Sequence, residues 1–187
     1  MIMLLIYGGE AAADEPVLRT GGVPLVPEGF VWPMCRECEG AMQFLAHLPV
    51  EDGAIAVFQC QNDPGMCGDW DATGGANRAF QFTGRRLTAA KVPSEGETLL
   101  GAVTALRAHP EDTTPTDEPA LGRLGGEPDW IQHDETPDCP SCSARMTFTA
   151  ELEEGYDHRT AANFGGMGRG YVFRCRGCGE AAFLWQC

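Results

Sequence analysis

Positive charge is what this chain has least of. Lys91 is its only lysine, and with twelve arginines it stands against 27 acidic residues, for a net charge of −14. Nucleic-acid binders usually carry a basic footprint. None is visible here, which argues against nucleic acid as the partner. The acidity suits a basic protein or peptide, or serves solubility alone. Long apolar runs are also missing. The longest, Met1–Tyr7, is far short of the roughly 20 residues that a spanning helix needs. It also lacks the basic start and cleavage region of a secretory signal. Met1–Tyr7 therefore reads as a buried first strand, with no membrane association and a cytoplasmic location expected. Long helices are disfavoured too, because 24 Gly and 13 Pro call for many turns and short elements.

What the chain does have is cysteine, nine in all. In a reducing compartment a cysteine-dense chain more often holds metal than disulfides. Cys139-Pro-Ser-Cys142 and Cys175-Arg-Gly-Cys178-Gly179 are two CxxC turns. Each places two thiolates on one tight knuckle, with backbone N–H groups aimed at sulfur. Gly177 and Gly179 suit the backbone angles of such a turn. Two knuckles supply four sulfurs and close a tetrahedral shell. That pattern predicts a structural Zn2+ site, with no open position for catalysis. A thiol–disulfide pair and an iron–sulfur cluster are the alternatives. A first site is predicted from Cys35-Arg-Glu-Cys38, Cys60 and Cys67. Its second half is wider, running through Asn62-Asp63-Pro64-Gly65, so the alternative is a vestigial site with Cys67 as a small buried apolar residue. Two such four-thiolate sites would bring the formal charge to about −18. Arg36, Arg145, Arg174 and Arg176 crowd the knuckles and either offset that charge or are simply solvated. Cys187 is left over as a free thiol. None of His47, His109, His133 and His158 shows a pattern that would activate it.

An internal repeat orders these motifs. Residues 21–48 (GGVPLVPEGFVWPMCRECEGAMQFLAHL) and 125–152 (GGEPDWIQHDETPDCPSCSARMTFTAEL) match without gaps at Gly21/Gly125, Gly22/Gly126, Pro33/Pro137, Cys35/Cys139, Cys38/Cys142, Met42/Met146, Phe44/Phe148 and others. Val57-Phe58-Gln59-Cys60 then matches Val172-Phe173-Arg174-Cys175, with the second copy's extra residues lying between about 152 and 171. Trp70 and Trp185 follow their cysteines at equal spacing, and Trp70 reads as a core anchor. Each copy predicts a Gly-Gly turn, a cysteine knuckle, a strand (Met42–Leu48, Met146–Leu152), a second strand (Ala54–Gln59, Tyr171–Arg174) and a further cysteine. Ala79–Thr83 reads as another strand. Leu99, Leu100, Val103 and Leu106 fit either a short helix or a strand. The glycine run 165–170 precedes a strand rather than opening a helix, so it reads as a turn and not as a phosphate loop.

GGVPLVPEGFVWP followed by MQFLAHL resembles the first half of YwqG-like proteins, and LGGEPDWIQ, MTFTAEL and FGGMGRGYVF resemble their second half. The cysteine-bearing version, LGGEPDW…PDCPSC, also resembles the programmed cell death 2 protein and its ribosome-biogenesis relatives. The resemblance spans most of residues 17–185. It implies a duplicated β fold with pseudo-twofold symmetry and no known catalytic activity. It also implies a protein-binding role, as chaperone of a ribosomal protein or as an immunity protein. Many YwqG-like proteins lack these cysteines, so the zinc expectation rests on this sequence.

The expected fold is therefore mainly β (β-rich α+β), with two pseudo-twofold related repeats that each carry a zinc-ribbon-like site. The first repeat with its N-terminal strand would span 1–109, an acidic Pro-rich linker 110–120, and the second repeat 121–187. The expected function is that of a zinc-stabilised, non-catalytic module binding a basic protein client. Trp32, Trp130, Phe164 and Tyr171 are candidate contacts, each more simply read as packing its own core. A zinc or thiol enzyme and a zinc-ribbon nucleic-acid binder are the alternatives.

Overall fold

The computed structural model describes residues 1–84, 86–95, 100–113, 117–156 and 159–187. Twelve strands appear among them: β1 (Met3–Gly9), β2 (Arg19–Thr20), β3 (Leu25–Val26), β4 (Gln43–Val50), β5 (Gly53–Gln59), β6 (Asn77–Thr83), β7 (Thr88–Ala89), β8 (Thr104–Pro110), β9 (Gly122–Leu124), β10 (Thr147–Glu153), β11 (Arg169–Cys175) and β12 (Glu180–Gln186). Helix is confined to one 3-10 turn at Glu111–Thr113, and no described helix is long and apolar enough to cross a membrane. Ten strands close a barrel in the order β1-β8-β2-β4-β5-β6-β12-β11-β10-β9, with β9 returning to β1. Strands β3 and β7 form a separate ribbon.

The barrel is built from two copies of one meander. In the first, β2, β4, β5 and β6 pair in succession; in the second, β9, β10, β11 and β12 do the same. The repeat holds at the level of single hydrogen bonds. Cys35 N–H donates to the Gly40 carbonyl and Cys139 N–H to Ala144. Met42 N–H donates to Pro33, and Met146 N–H to Pro137. A bulge falls between Phe44 and Ala46 in β4 and between Phe148 and Ala150 in β10. Gly21 and Gly22 take left-handed φ of 70° and 78°, and Gly125 and Gly126 take 71° and 77°. Such angles are nearly free to glycine and costly to other residues.

Chain connectivity crosses the two copies. β1 precedes the first meander yet pairs with β9 of the second, while β8 precedes the second meander and pairs with β2 of the first. β1 and β8 then pair with each other and seal the wall. The interior is correspondingly shared. One core joins Leu5, Leu45, Leu48, Ile55, Val57 and Leu106 to Ala150, Leu152, Val172 and Phe183. The opposite faces of the meanders hold two separate clusters, one around Phe44, Phe58 and Trp32, the other around Phe173, Tyr171 and Met146. Burial on both faces explains why β4 and β5 read as nearly continuous apolar runs rather than as strict alternations.

The expected strands are all present, and the long insertion of the second copy lies at 154–168, between β10 and β11. The ambiguous stretch resolves as strand from Thr104 onward, while residues 96–99 lie outside the described residues. Trp70 is a correction. It is 50% exposed, in the loop between β5 and β6. Through the β5–β6 and β11–β12 registers, the true counterpart of Trp185 is Gln81. The equal spacing after the two cysteines is coincidental, because the first copy runs through 60–76 before its third strand and the second only through 176–179. Trp32, Phe164 and Tyr171 are buried, and Trp130 stacks half-buried on Phe173.

Candidate metal centres

Each tetrad is assembled where a knuckle meets the end of a hairpin strand. In the first, the 35–38 knuckle precedes β4, and Cys60 and Cys67 follow β5. In the second, the 139–142 knuckle precedes β10, and Cys175 closes β11 just before Cys178. The β4–β5 and β10–β11 ladders bring Phe44 opposite Phe58 and Phe148 opposite Phe173, which draws the cysteines beyond each pair together. In three of the four knuckle arms, the residue after the second cysteine donates its N–H to the carbonyl of the first: Glu39 to Cys35, Ser143 to Cys139 and Gly179 to Cys175. Closing that turn requires a left-handed residue. Glu39, Ser143 and Gly179 have φ of 57°, 59° and 70°, and Gly68 after Cys67 has 61°. Gly177 is not left-handed, so only Gly179 serves the turn as expected.

All eight predicted ligands fall into the two predicted groups, Cys35, Cys38, Cys60, Cys67 and Cys139, Cys142, Cys175, Cys178, with the sulfurs of each group within 4.8 Å of one another. Cys38 Sγ lies 3.7 Å from Cys60 Sγ, and Cys142 Sγ lies 3.8 Å from Cys175 Sγ. A disulfide would require about 2.05 Å. A tetrahedron with metal–sulfur bonds of about 2.3 Å has edges of about 3.8 Å. The geometry therefore fits four sulfurs around one metal ion and not two disulfides, and all nine cysteines are free thiols.

Electrostatics points the same way. In the first tetrad, burial pushes Cys60 up to about 11 and, joined by the neighbouring sulfurs, drives Cys67 well above the usual thiol range. Cys38 is held below that range: burial opposes its thiolate, but the Gly40 amide and the other three sulfurs outweigh burial. In the second tetrad, the Cys178 amide and the neighbouring thiols lower Cys175 to about 7, while Cys142 and Cys175 push Cys178 up to about 12. In each tetrad one thiolate is favoured while other thiols are held protonated by burial and by the neighbouring sulfurs. A bound divalent cation removes that conflict.

The two centres differ in depth and in support. Three sulfur-bearing residues of the first are buried, Cys38 alone being exposed; in the second only Cys139 is buried. The first centre also has an outer partner that sequence reading missed. The Asn62 side-chain amide reaches Cys60 Sγ at 3.4 Å and Cys38 Sγ at 3.6 Å, while donating to the Ala41 carbonyl at 3.1 Å. Its place two residues after Cys60 was the available signal. Of the knuckle arginines, Arg145 pairs with Asp134, while Arg174 and Arg176 line an open recess together with Cys178. Cys187 is exposed and belongs to neither tetrad, its carbonyl accepting from Gln132. His158 lies outside the described residues. His47 is buried beside Arg19 across the β2–β4 pair, where burial and then that guanidinium lower it to about 4.

Compared with protein-family models and with curated proteins, the chain finds no match in either. Two cysteine tetrads that could each hold a metal ion, on a closed barrel of duplicated β meanders, are what defines it.

Proposed function

We propose that this chain is a zinc-stabilised, non-catalytic protein-binding module of the cytoplasm, related to the YwqG-like proteins and to the programmed cell death 2 protein, whose acidic surface receives a basic protein client. The observation that carries the zinc assignment is the sulfur geometry: four sulfurs per site within 4.8 Å of one another, with one pair in each at 3.7 or 3.8 Å, close to the edge of a tetrahedral four-sulfur zinc site. Such a shell is full, so the ion stabilises folding rather than presenting a position to substrate. Oxygen-preferring cations are disfavoured by an all-sulfur donor set. The net charge of −14 supports a cationic partner.

Native mass spectrometry of freshly purified protein, with and without a strong chelator, tests the first half of this reading. Two zinc ions per chain are expected. One zinc would leave only one tetrad as a true site, and a metal-free mass lowered by cysteine oxidation would sink the assignment. Affinity purification from the native host tests the second half, and the absence of any basic protein above background would refute it.

A further inference from the structure

The duplication allows each repeat to be read against the other, and they differ at one place. In the first repeat, Phe30 and Trp32 fold back over the outer face of the meander. Phe30 stacks on Phe58 with centroids 6.0 Å apart and meets Phe80 edge-on at 5.2 Å. Trp32 packs edge-on against Phe58 at 5.4 Å, and its indole Nε1–H donates to the Met42 carbonyl at 2.8 Å. By the ungapped repeat alignment, the counterparts of Phe30 and Trp32 are Asp134 and Thr136, while Phe44 and Met42 are matched by Phe148 and Met146 and, beyond the insertion, Phe58 by Phe173. The aromatic floor is kept, and Trp130 stacks on one side of Phe173 with centroids 5.9 Å apart, but neither plug position carries a ring.

A hollow of 510 Å³ opens there, with Thr136 and Asp134 on its wall and Phe148, Phe173, Met146 and Trp130 among its lining. Phe148 is half-buried, whereas its counterpart Phe44 is fully buried. The segment passing over it is acidic, with Glu127, Asp129, Asp134, Glu135 and Asp138. The lining itself carries two acids, Glu127 and Asp134, against one base, Arg145, which pairs with Asp134, and is net negative. We propose that this hollow is a docking pocket for an aromatic side chain carried in a basic segment of a partner protein. The client's ring takes the place that Trp32 holds in the first repeat. It packs against Phe173 and Phe148, with the Met146 carbonyl as the counterpart acceptor for an indole N–H, while flanking lysines or arginines face the acidic rim. An aromatic anchor in a pocket with a charged rim is how few residues come to dominate an interface.

The inference rests on the protein-binding reading and names the surface for it. The probe is the synthetic peptide Lys-Arg-Trp-Arg-Lys, titrated into the zinc-loaded full chain by calorimetry, with the Met146 methyl followed by NMR. The Trp-containing peptide is expected to bind and to shift Met146, with the Ala-for-Trp peptide about tenfold weaker or worse and a Glu-flanked peptide weaker still. Thr136→Trp restores the plug of the first repeat and should abolish binding without lowering the melting temperature. Should that variant misfold, Glu127→Gln serves instead, weakening binding severalfold and flattening its salt dependence. Failure of the wild type to bind the basic Trp peptide, or equal binding by wild type and a folded Thr136→Trp, overturns the pocket. A basic client retained equally by wild type and Thr136→Trp keeps the protein-binding reading and removes this pocket from it.

Discussion

At the residue scale, the two repeats solve the same position in opposite ways. Arg19 and Arg123 are counterparts, as are His47 and Glu151, and each pair faces across a strand ladder. In the second repeat Arg123 forms an ion pair with buried Glu151 at 3.2 Å. In the first, Arg19 is fully buried and forms no ion pair among the described residues, Asp14 and Glu15 acting on it only at longer range; its guanidinium donates to the carbonyls of Glu15 at 2.8 Å, of Val23 at 2.6 Å and of Gly21, and lies over the Phe44 ring. A neutral His47 is the condition for that arrangement. Its folded pKa of about 4 lies below the ordinary value of 6.5, so the unfolded chain binds more protons between those pH values. The stability it contributes is full above about pH 6.5 and is lost as pH falls toward 4. We expect His47→Gln to remove up to about 1.4 kcal/mol per pH unit of that dependence, measured as the wild-type-minus-variant difference in chemical denaturation. Equal slopes would show that His47 titrates normally. Asn62 makes a second prediction. Outer partners of metal ligands are worth about 10–100-fold in affinity, so Asn62→Ala should weaken the first centre by that order while leaving the second unchanged, as read by competition with a zinc indicator.

At the element scale, the turns that lead into each meander depend on glycine for room as well as for φ. A Cβ on Gly21 would lie 2.1 Å from the Ala102 carbonyl oxygen, whereas one on Gly179 would meet nothing within 4 Å. Both are left-handed. Gly21→Ala should therefore cost well over the roughly 1–2 kcal/mol of the backbone term, and Gly179→Ala about that term alone, a contrast that thermal melts would resolve. If the two cost the same, the Gly101–Ala102 segment ahead of β8 yields more easily at Gly21 than its geometry suggests. Strands, repeat and tetrads were legible in the sequence because each has a short-range signature: alternation, matched turns and CxxC spacing. The matched Gly-Gly turns and Cys35/Cys139 already set β4 and β10 as equivalent strands. The Trp70 position was not legible, since spacing along a chain says nothing about which loop is longer, and the loop 60–76 absorbs what 176–179 omits. Nor was the exchange of β1 and β8 between repeats, which depends on long-range pairing that no local pattern encodes.

At the scale of the whole molecule, metal in the two tetrads would stabilise different parts from the barrel. The interior core contains no cysteine, while Cys35, Cys60 and Cys67 belong to one outer cluster and Cys139 and Cys175 to the other. Removing metal therefore strikes the outer faces first, where it frees the knuckle segments that cover Phe58 and Phe173. The shared interior, with apolar side chains from both repeats and a wall closed by β1 and β8, keeps its own burial energy. Chelation should lower the melting temperature and sharply raise hydrogen exchange at 27–42, 60–76 and 130–146, while amides of β5 and β11 keep most of their protection. The order of release follows from exposure: the second centre, with Cys142 and Cys178 exposed and Cys175 half-buried, should surrender its ion before the first. Time-resolved native mass spectrometry with chelator, alongside hydrogen exchange, reads both. A one-zinc species in which Cys139, Cys142, Cys175 and Cys178 alkylate first would bear this out. Concerted loss of both ions with collapse of β5 and β11 protection would instead make the outer clusters inseparable from the barrel, and zinc a condition of the whole fold rather than of its two covered faces.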